Sequence, residues 1–411
     1  MLLQTDQFEN RFCMPKAHFD YLLEAIRGAI TVDFARSSNS TEGNEPIYPE
    51  VILAIGLRFV GLGSTVPDLA DIYGMSTASA RRVINMFLNA IDFNMSCPEL
   101  QINLPDPKDG DSLRDLASRW SEASTVFGLF NHYLGAIDGW LPRTEMPRDV
   151  PNQSDYFSGH YQCYGLNVQA MCDPDLLFLY VCVAAPGKIS GHCQCYGLNV
   201  QYMCDSDLLF LFVCVVAPGK VNDIRAFNRC HGLISWLSRL PIQFYIGGDS
   251  AYSLSRRLLV PFDTPEMFNE AHRTYNFFLS QLRIRIEMAF GRLTTVWRIL
   301  RKILNFSNAK NAKIIRVYTN LHNFCIRMQQ LEGRGRIGVL SDNVDPTAYG
   351  IEPFEGVGNQ TGAFGYLETH PDDDNNGIPS IVPDSSLRNG FYATILSRDL
   401  QRPAANRRQN G

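Results

Sequence analysis

The 411-residue sequence lacks the features that mark several large classes of protein. No basic and then apolar leader opens it, because Met1 to Asn10 carries two acids and only a short pair of leucines, so we expect no secretory signal. Its longest apolar runs, such as Leu176 to Pro186, are far shorter than the ~18 residues that a membrane helix needs. The eleven cysteines are an odd number, and we expect them in a reducing compartment. Membrane-spanning, collagen-like and disulfide-scaffold proteins are therefore excluded.

The sequence also lacks a net positive charge, since its formal net charge is −5. This total hides a strong asymmetry along the chain. Residues 283–327 hold ten Lys or Arg against one acid, Glu287, whereas residues 332–411 hold eleven acids against seven bases. We interpret the basic stretch as a local surface for nucleic acid in an otherwise acidic chain. The alternative is a solvated helix face.

Residues 1–100 show helix-period apolar spacing and predict an all-α, helix-turn-helix-like DNA-binding domain. A helix over residues 66–73 ends near Gly74, and Ser76 is expected to cap the next helix, which runs to about Ile91. Arg81 and Arg82 fall in the first turns of that second helix, where residues that face a DNA groove would lie. A helical bundle without DNA contact explains the same pattern equally well.

Residues 101–130 read as a linker and a helix, and residues 131–330 as an α/β domain. Strand-like runs cover 133–137, 163–172, 176–184 and 243–246, and helical spacing returns over 275–304 and 310–328. Residues 331–411 are rich in Gly and acids and predict a largely disordered tail.

Residues 158–189 and 190–221 are near-identical copies that match at 26 of 32 positions. Because solenoids and propellers need about three repeats or more, two copies indicate a recent tandem duplication. Each copy can form one complete hairpin. The copies differ at an important place: the second ends in Asn222-Asp223, whereas the first leads into Ser190-Gly191 and supplies no acid there.

Three acids lie where strands end or a helix passes, and they are the candidate catalytic residues. Asp138 ends the first strand, Asp249 follows Gly247-Gly248 after a later strand, and Glu287 lies in the basic helix one turn after Arg283. Carboxylates that converge in this way suit a hard cation such as Mg²⁺. Taken singly, each has another explanation: a turn residue for the aspartates and an ion pair with Arg283 for Glu287.

Seven ordered blocks of sequence resemble the PIF/Harbinger transposase family, which belongs to the DDE superfamily of RNase H-like nucleases. These blocks are GAIDGW (135–140), YGLNVQ…CD (196–205), APGKVNDIRAF (217–227), GDSAYSLSRRLLVPF (248–262), LRIRIEMAFGRL (282–293), WRIL (297–300) and LHNFCI (321–326). The resemblance covers about 131–328, and it implies an RNase H-like mixed sheet flanked by helices.

The resemblance also implies the chemistry of the site. Asp138, Asp249 and Glu287 would be the catalytic triad, and with Asp223 they would bind Mg²⁺ or another divalent cation that cleaves phosphodiester bonds by a two-metal mechanism. DNA would be the substrate, a Myb-like protein and a second copy of the chain would be partners, and the protein would act in the nucleus as well as the cytoplasm. The candidate DNA-binding residues are Arg81, Arg82, Arg283, Arg285, Arg292, Arg298, Arg301 and Lys302.

The duplication departs from the family pattern, which has one hairpin between the first aspartate and the APG…D block. Only one copy can occupy the core sheet. If the second copy docks, the first becomes a 32-residue insertion, and if the first docks, Asp223 is displaced. We expect a retained fold, and we expect deletion of residues 158–189 to raise soluble yield and nuclease activity. The sequence leaves open an active nuclease or a catalytically inactive, transposon-derived DNA-binding protein.

Overall fold

The computed structural model of the chain describes residues 5–32, 46–183, 223–333 and 383–402, apart from residues 93, 95, 127, 149 and 229. The helices are α1 (Thr5–Phe12), α2 (Lys16–Ile30), α3 (Pro49–Leu62), α4 (Val66–Ile72), α5 (Thr77–Asp92), α6 (Gly110–Ala123), α7 (Asp223–Asn228), α8 (His231–Arg239), α9 (Glu270–Val296), α10 (Asn308–Leu331) and α11 (Ser386–Ser397). The strands are β1 (Tyr133–Trp140), β2 (Phe157–Ser158), β3 (Cys163–Tyr164), β4 (Val168–Cys172), β5 (Phe178–Val183), β6 (Tyr245–Gly247) and β7 (Leu258–Leu259).

Five strands form one mixed sheet in the order β5-β4-β1-β6-β7. Strand β1 lies at the centre and pairs antiparallel with β4 and parallel with β6. The outer pairs are antiparallel for β4 with β5 and parallel for β6 with β7. With helices α6 and α9 packed against β1, this architecture is consistent with the RNase H-like fold expected from the sequence.

The first copy of the duplicated hairpin supplies strands β4 and β5 of this sheet. All five residues of β4 are buried, and Ala170 lies directly opposite Asp138 in the antiparallel register. The second copy, 190–221, lies outside the described residues. Because the first copy occupies the sheet, the expectation that deletion of residues 158–189 helps folding loses its structural basis.

The turn between β4 and β5 is fixed by a buried charge network. Asp173 Oδ1 accepts hydrogen bonds from the backbone N–H groups of Asp175 and Leu177, at 2.9 and 2.8 Å. Arg119 of α6 donates to the carboxylates of both Asp173 and Asp175, at 2.8 and 3.0 Å. Because these acids are almost fully buried, the arginine is needed to offset their desolvation.

The side chain of Asn323 on α10 satisfies the exposed edge of β5. Its amide oxygen accepts from the Phe178 N–H and its amide nitrogen donates to the Phe178 carbonyl, both at 2.8 Å. The amide therefore acts as a neighbouring strand would, and it closes an edge that would otherwise be open to pairing.

The N-terminal helices follow the expected boundaries closely. Helix α5 begins after Ser76, whose hydroxyl accepts from the Ser79 N–H at 3.1 Å, and Gly74 takes the left-handed conformation that the turn before it requires. The apolar stripe of α5, including Phe87 and Leu88, is buried. These helices pack onto the α/β part of the chain, where Phe59 contacts Phe306 with 5.9 Å between ring centroids.

Residues 383–402 are ordered and contain helix α11, a short ordered piece within the region that the sequence predicts to be largely disordered. Helix α11 packs onto α9, and Phe391 contacts Phe130 with 5.0 Å between ring centroids. Arg388 pairs with Glu266 at 3.0 Å and lies over the Phe262 ring. This helix was not predicted from the sequence because its apolar and aromatic pattern is short and lies within an acidic region. No helix among the described residues has the length and apolarity to cross a membrane.

Candidate active site

Asp138 lies on the central strand β1 and points toward helix α9. Alternate residues of a strand share a face, so Asp138 lies on the same side of the sheet as Trp140. Trp140 stacks on Phe290 of α9 at 5.6 Å between ring centroids. Glu287 precedes Phe290 by three residues and therefore shares its face of the helix. The backbone N–H of Gly139 donates to Asp138 Oδ1 at 2.8 Å.

Asp249 follows β6, the parallel neighbour of β1. The two glycines before Asp249 let the end of β6 pack closely against β1 and its surroundings. A Cβ at Gly247 would lie 2.5 Å from the Tyr133 hydroxyl oxygen, and a Cβ at Gly248 would lie 2.8 Å from the Tyr252 ring. Only glycine allows such a close approach between these backbones and side chains. Asp249 Oδ1 also accepts from the Ala251 N–H at 3.0 Å, which fixes the turn after the strand.

A hydrogen bond that the sequence analysis missed ties the loop after β6 to β4 across the central strand. The Tyr252 hydroxyl donates to Gln169 Oε1 at 2.6 Å, and the Gln169 amide in turn donates to Asn167 Oδ1 at 2.9 Å. All three side chains are buried. The polar residues in the GDSAY and LNVQ motifs are the sequence signal that could have revealed this hydrogen bond, because buried polar side chains need hydrogen-bond partners.

Glu287 stands at the solvent edge of the site beside Arg283. Glu287 is 54% exposed, whereas the Arg283 side chain is only 15% exposed, and their nearest charged atoms are 3.9 Å apart. The helical ion pair foreseen for these residues is therefore present, but it is loose.

The electrostatics join these groups into one site. Burial and, after it, the negative charges of Asp249 and Glu287 together raise the pKa of Asp138 to about 7, while Arg283 and the Gly139 N–H oppose the rise. Nearby negative charges oppose the ionisation of such a carboxyl. A bound cation would offset those charges and stabilise its ionised form. The charges of Asp249 and Glu287 therefore act on Asp138 in the fold.

Asp223 is the first residue of α7, and its side chain lies outside the described residues. Its helix borders the same region, because Phe227 contacts Tyr252 with 5.7 Å between ring centroids. Tyr252 is three residues after Asp249. The backbone of α7 thus begins near the loop that carries Asp249, even though the first hairpin copy occupies the sheet.

The donor set of this site suits a hard divalent cation in its chemistry, because all its charged donors are carboxylate oxygens. Within the described residues, however, no three His, Cys, Asp or Glu side chains are arranged to hold a metal ion. Asp138 and Asp249 would supply the inner ligands, and Glu287 would have to turn from Arg283 to join them.

Several basic residues expected at a DNA surface make hydrogen bonds within the protein instead. Arg285 is fully buried and donates to the Pro174 carbonyl at 2.9 Å, so the expectation that it contacts DNA was wrong. Arg292 is half-buried and donates to Gln329 at 2.7 Å, and Lys302 donates to the Gly63 carbonyl at 2.7 Å. The position of a basic residue in the sequence does not reveal whether its side chain bonds within the protein, because a long arginine side chain can cross the core to reach a backbone carbonyl.

Four of the other five candidate DNA-binding residues are exposed, and the fifth, Arg283, is only 15% exposed beside Glu287. Arg81 and Arg82 lie exposed on α5, and Arg298 is exposed after α9. Arg301 is exposed too, although its guanidinium donates to the Thr294 carbonyl at 3.1 Å. These four remain available to an external ligand.

His322 is a buried side chain beside a backbone carbonyl. Its Nε2 lies 2.9 Å from the Leu176 carbonyl oxygen, and burial lowers its pKa to about 3. The imidazole is therefore neutral near pH 7. Trp297 and Leu300 are also buried and belong to the core.

Comparisons with known proteins bear on the same region. The DDE superfamily endonuclease family matches residues 137–193 and 190–323, and the break between these segments falls where the second hairpin copy begins. The chain is 25% identical over 334 residues to "Protein ALP1-like" of Arabidopsis thaliana, which covers 78% of this chain and 71% of that protein. No solved structure matches significantly. The α/β part of this chain, with its carboxylate site, is thus similar to a DDE superfamily endonuclease domain.

Proposed function

We propose that this chain is a divalent-metal-dependent DNA endonuclease of transposase origin, related to the PIF/Harbinger group, with Asp138, Asp249 and Glu287 as its catalytic acids. The observation that carries the proposal is the coupling of Asp138 to Asp249 across neighbouring parallel strands. Two acids brought together at the centre of a sheet destabilise each other, and a fold keeps such a pair where function needs it. The match to the DDE superfamily endonuclease family supports the same reading.

Each part of the site has a separate task in this proposal. Asp138, Asp249 and Glu287, together with Asp223, would hold Mg²⁺ or a similar ion, which when bound supplies Lewis-acid stabilisation of charge on a phosphodiester. Gly247 and Gly248 let Asp249 approach β1, and the Tyr252–Gln169 hydrogen bond keeps it there. Arg283 offsets part of the negative charge while the acids are unliganded.

The proposal includes the setting in which such an enzyme would work. Arg81, Arg82, Arg298 and Arg301 would contact DNA phosphates, and α4 and α5 would act as a helix-turn-helix unit. The chain would act in the nucleus, as an oligomer and with a Myb-like partner. These features extend the family resemblance.

A catalytically inactive DNA-binding protein is the second candidate, and one observation favours it. Among the described side chains no three-residue metal site is preformed, and Glu287 is 54% exposed with Arg283 beside it. Because the first hairpin copy occupies the core sheet, the second copy adds 32 residues of sequence between that sheet and Asp223.

Nicking of supercoiled plasmid DNA in the presence of Mg²⁺ separates these candidates. The wild-type chain should nick the plasmid, Asp249→Asn should not, and Asp20→Asn, an exposed acid on α2, should behave as wild type. Binding without nicking would favour the inactive protein. Nicking that survives Asp249→Asn would remove the carboxylate assignment.

A further inference from the structure

Helices α5 and α10 carry a concentrated excess of positive charge. Helix α10 holds four Lys or Arg and no acid, and α5 holds two arginines and one acid, Asp92. Arg316 of α10 already neutralises Asp92, because it donates to both carboxylate oxygens at 2.7 and 2.8 Å. No second acid occurs on either helix.

The contacts between these helices hold the charges in fixed positions. The Asp92–Arg316 pair is largely buried, with Asp92 only 3% exposed. One turn before Arg316 on α10, Lys313 Nζ donates to Asn89 Oδ1 of α5 at 2.7 Å. The two helices come from sequence regions more than two hundred residues apart, so only the folded chain brings their bases together.

Lys310 lies where three positive charges meet. Its Nζ is 4.9 Å from the centroid of the Phe306 ring, which partly shields it from water. Burial lowers the pKa of Lys310, and the positive charges of Arg81 and Lys313 lower it further. Repulsion among cations that share a small area is relieved by a bound anion.

We propose that Arg81, Lys310 and Lys313 form one phosphate-binding surface, the α5–α10 basic patch, which takes the backbone of duplex DNA. The inference rests on the proposed action on DNA and adds residues from α10 that the sequence analysis did not single out. Arg81 lies near the start of α5, and Lys310 lies near the start of α10. The patch therefore joins the N-terminal helices and the nuclease region into one DNA-facing surface. Its lysines contact phosphates and read no bases.

The test is the salt dependence of binding to a short fluorescent DNA duplex, measured by anisotropy in EDTA so that no cleavage occurs. The full chain with Lys310→Gln and Lys313→Gln is compared with Lys16→Gln and Lys108→Gln, which remove the same charge from exposed positions elsewhere. The slope of log affinity against log salt should fall by about 0.9 per patch lysine. Affinity at moderate salt should fall about tenfold, and Lys310→Arg with Lys313→Arg should restore it.

Each other outcome has a defined meaning. Equal slopes for the patch variant and the control variant overturn the patch. Lost binding to phosphatidylserine vesicles with unchanged duplex binding also overturns it, in favour of a lipid surface. Wild-type protein that binds duplex through these lysines but never nicks plasmid keeps the patch and removes the nuclease. If the wild-type chain nicks plasmid but the lysine substitutions leave duplex binding unchanged, the patch is overturned and the nuclease proposal is kept.

Discussion

At the scale of single residues, the sequence singled out three acids as candidates but did not reveal the contacts that place them. Asp138, Asp249 and Glu287 could be proposed because their neighbouring motifs are distinctive. The Tyr252–Gln169 hydrogen bond could not be predicted, because it joins a loop and a strand whose residues are 83 positions apart in the sequence. Basic residues were predicted least well, because charge on a helix does not say which face meets solvent, and Arg285 faces the core.

The raised pKa of Asp138 predicts a pH-dependent penalty in the folded state. Since its pKa is about 7 in the fold and near 4 when unfolded, the native state binds the extra proton between these values. Stability should therefore fall as pH rises from 4 to 7. Asp138→Asn cannot ionise, so it should be more stable than wild type by about 4 kcal/mol at pH 8.

Urea unfolding in EDTA at pH 4 and pH 8 measures this difference. The advantage of Asp138→Asn should disappear at pH 4, where the wild-type carboxyl is largely protonated in the fold. Asp20→Asn should show no such advantage at either pH. An advantage of equal size at both pH values would mean that packing, and not ionisation, is responsible.

Arg285 and Arg298 offer a contrast between a structural and an exposed arginine. Arg285→Ala removes a buried guanidinium and leaves the Pro174 carbonyl without its donor, so it should destabilise the chain by about 3 kcal/mol. Arg298→Ala should change stability little and weaken DNA binding. Thermal unfolding and duplex binding of the two variants check this. The reverse pattern would return Arg285 to the DNA surface.

At the scale of elements, most helices and strands were predictable, and the duplication was the main exception. Periodicity and capping residues located α4 and α5 to within a residue or two, as Ser76 and Gly74 show. The identity of the hairpin in the sheet could not be read from 26 identical positions. Helix α11 was missed because its buried aromatic contacts are made only with distant segments.

The two hairpin copies predict different outcomes for two matched deletions. Removal of residues 190–221 joins Ile189 to Asn222, restores one uninterrupted APGKINDIRAF block and leaves β4 and β5 in place. Removal of 158–189 would put Tyr202 in the position of Ala170, which is fully buried opposite Asp138. Overpacking of this kind costs roughly 1–3 kcal/mol.

Thermal unfolding and plasmid nicking of both deletions test this difference. The chain without 190–221 should be at least as stable as wild type and at least as active. The chain without 158–189 should be less stable, and Ala170→Tyr in the full chain should lose a similar amount. Greater stability of the chain without 158–189 would show that the second copy fits the sheet better.

At the scale of the whole molecule, the net charge of −5 conceals two kinds of basic residue. One kind fixes the packing of helices, as Arg316 does with Asp92 and Lys302 with the Gly63 carbonyl. The other remains at the surface, as Arg81 and Lys310 do. The basic stretch of the sequence thus serves partly to attach the N-terminal helices to the α/β region, and the sequence alone could not divide these roles.

The central claim is that Asp138 and Asp249 together bind a divalent cation. Titration of the full chain with Mn²⁺, followed by the electron paramagnetic resonance signal of the free ion, measures it without any need for cleavage. The account predicts that Asp138→Asn and Asp249→Asn each weaken Mn²⁺ binding at least about tenfold, as loss of a charged oxygen ligand should. Asp20→Asn should bind as wild type. Equal Mn²⁺ binding by all four proteins would contradict the account.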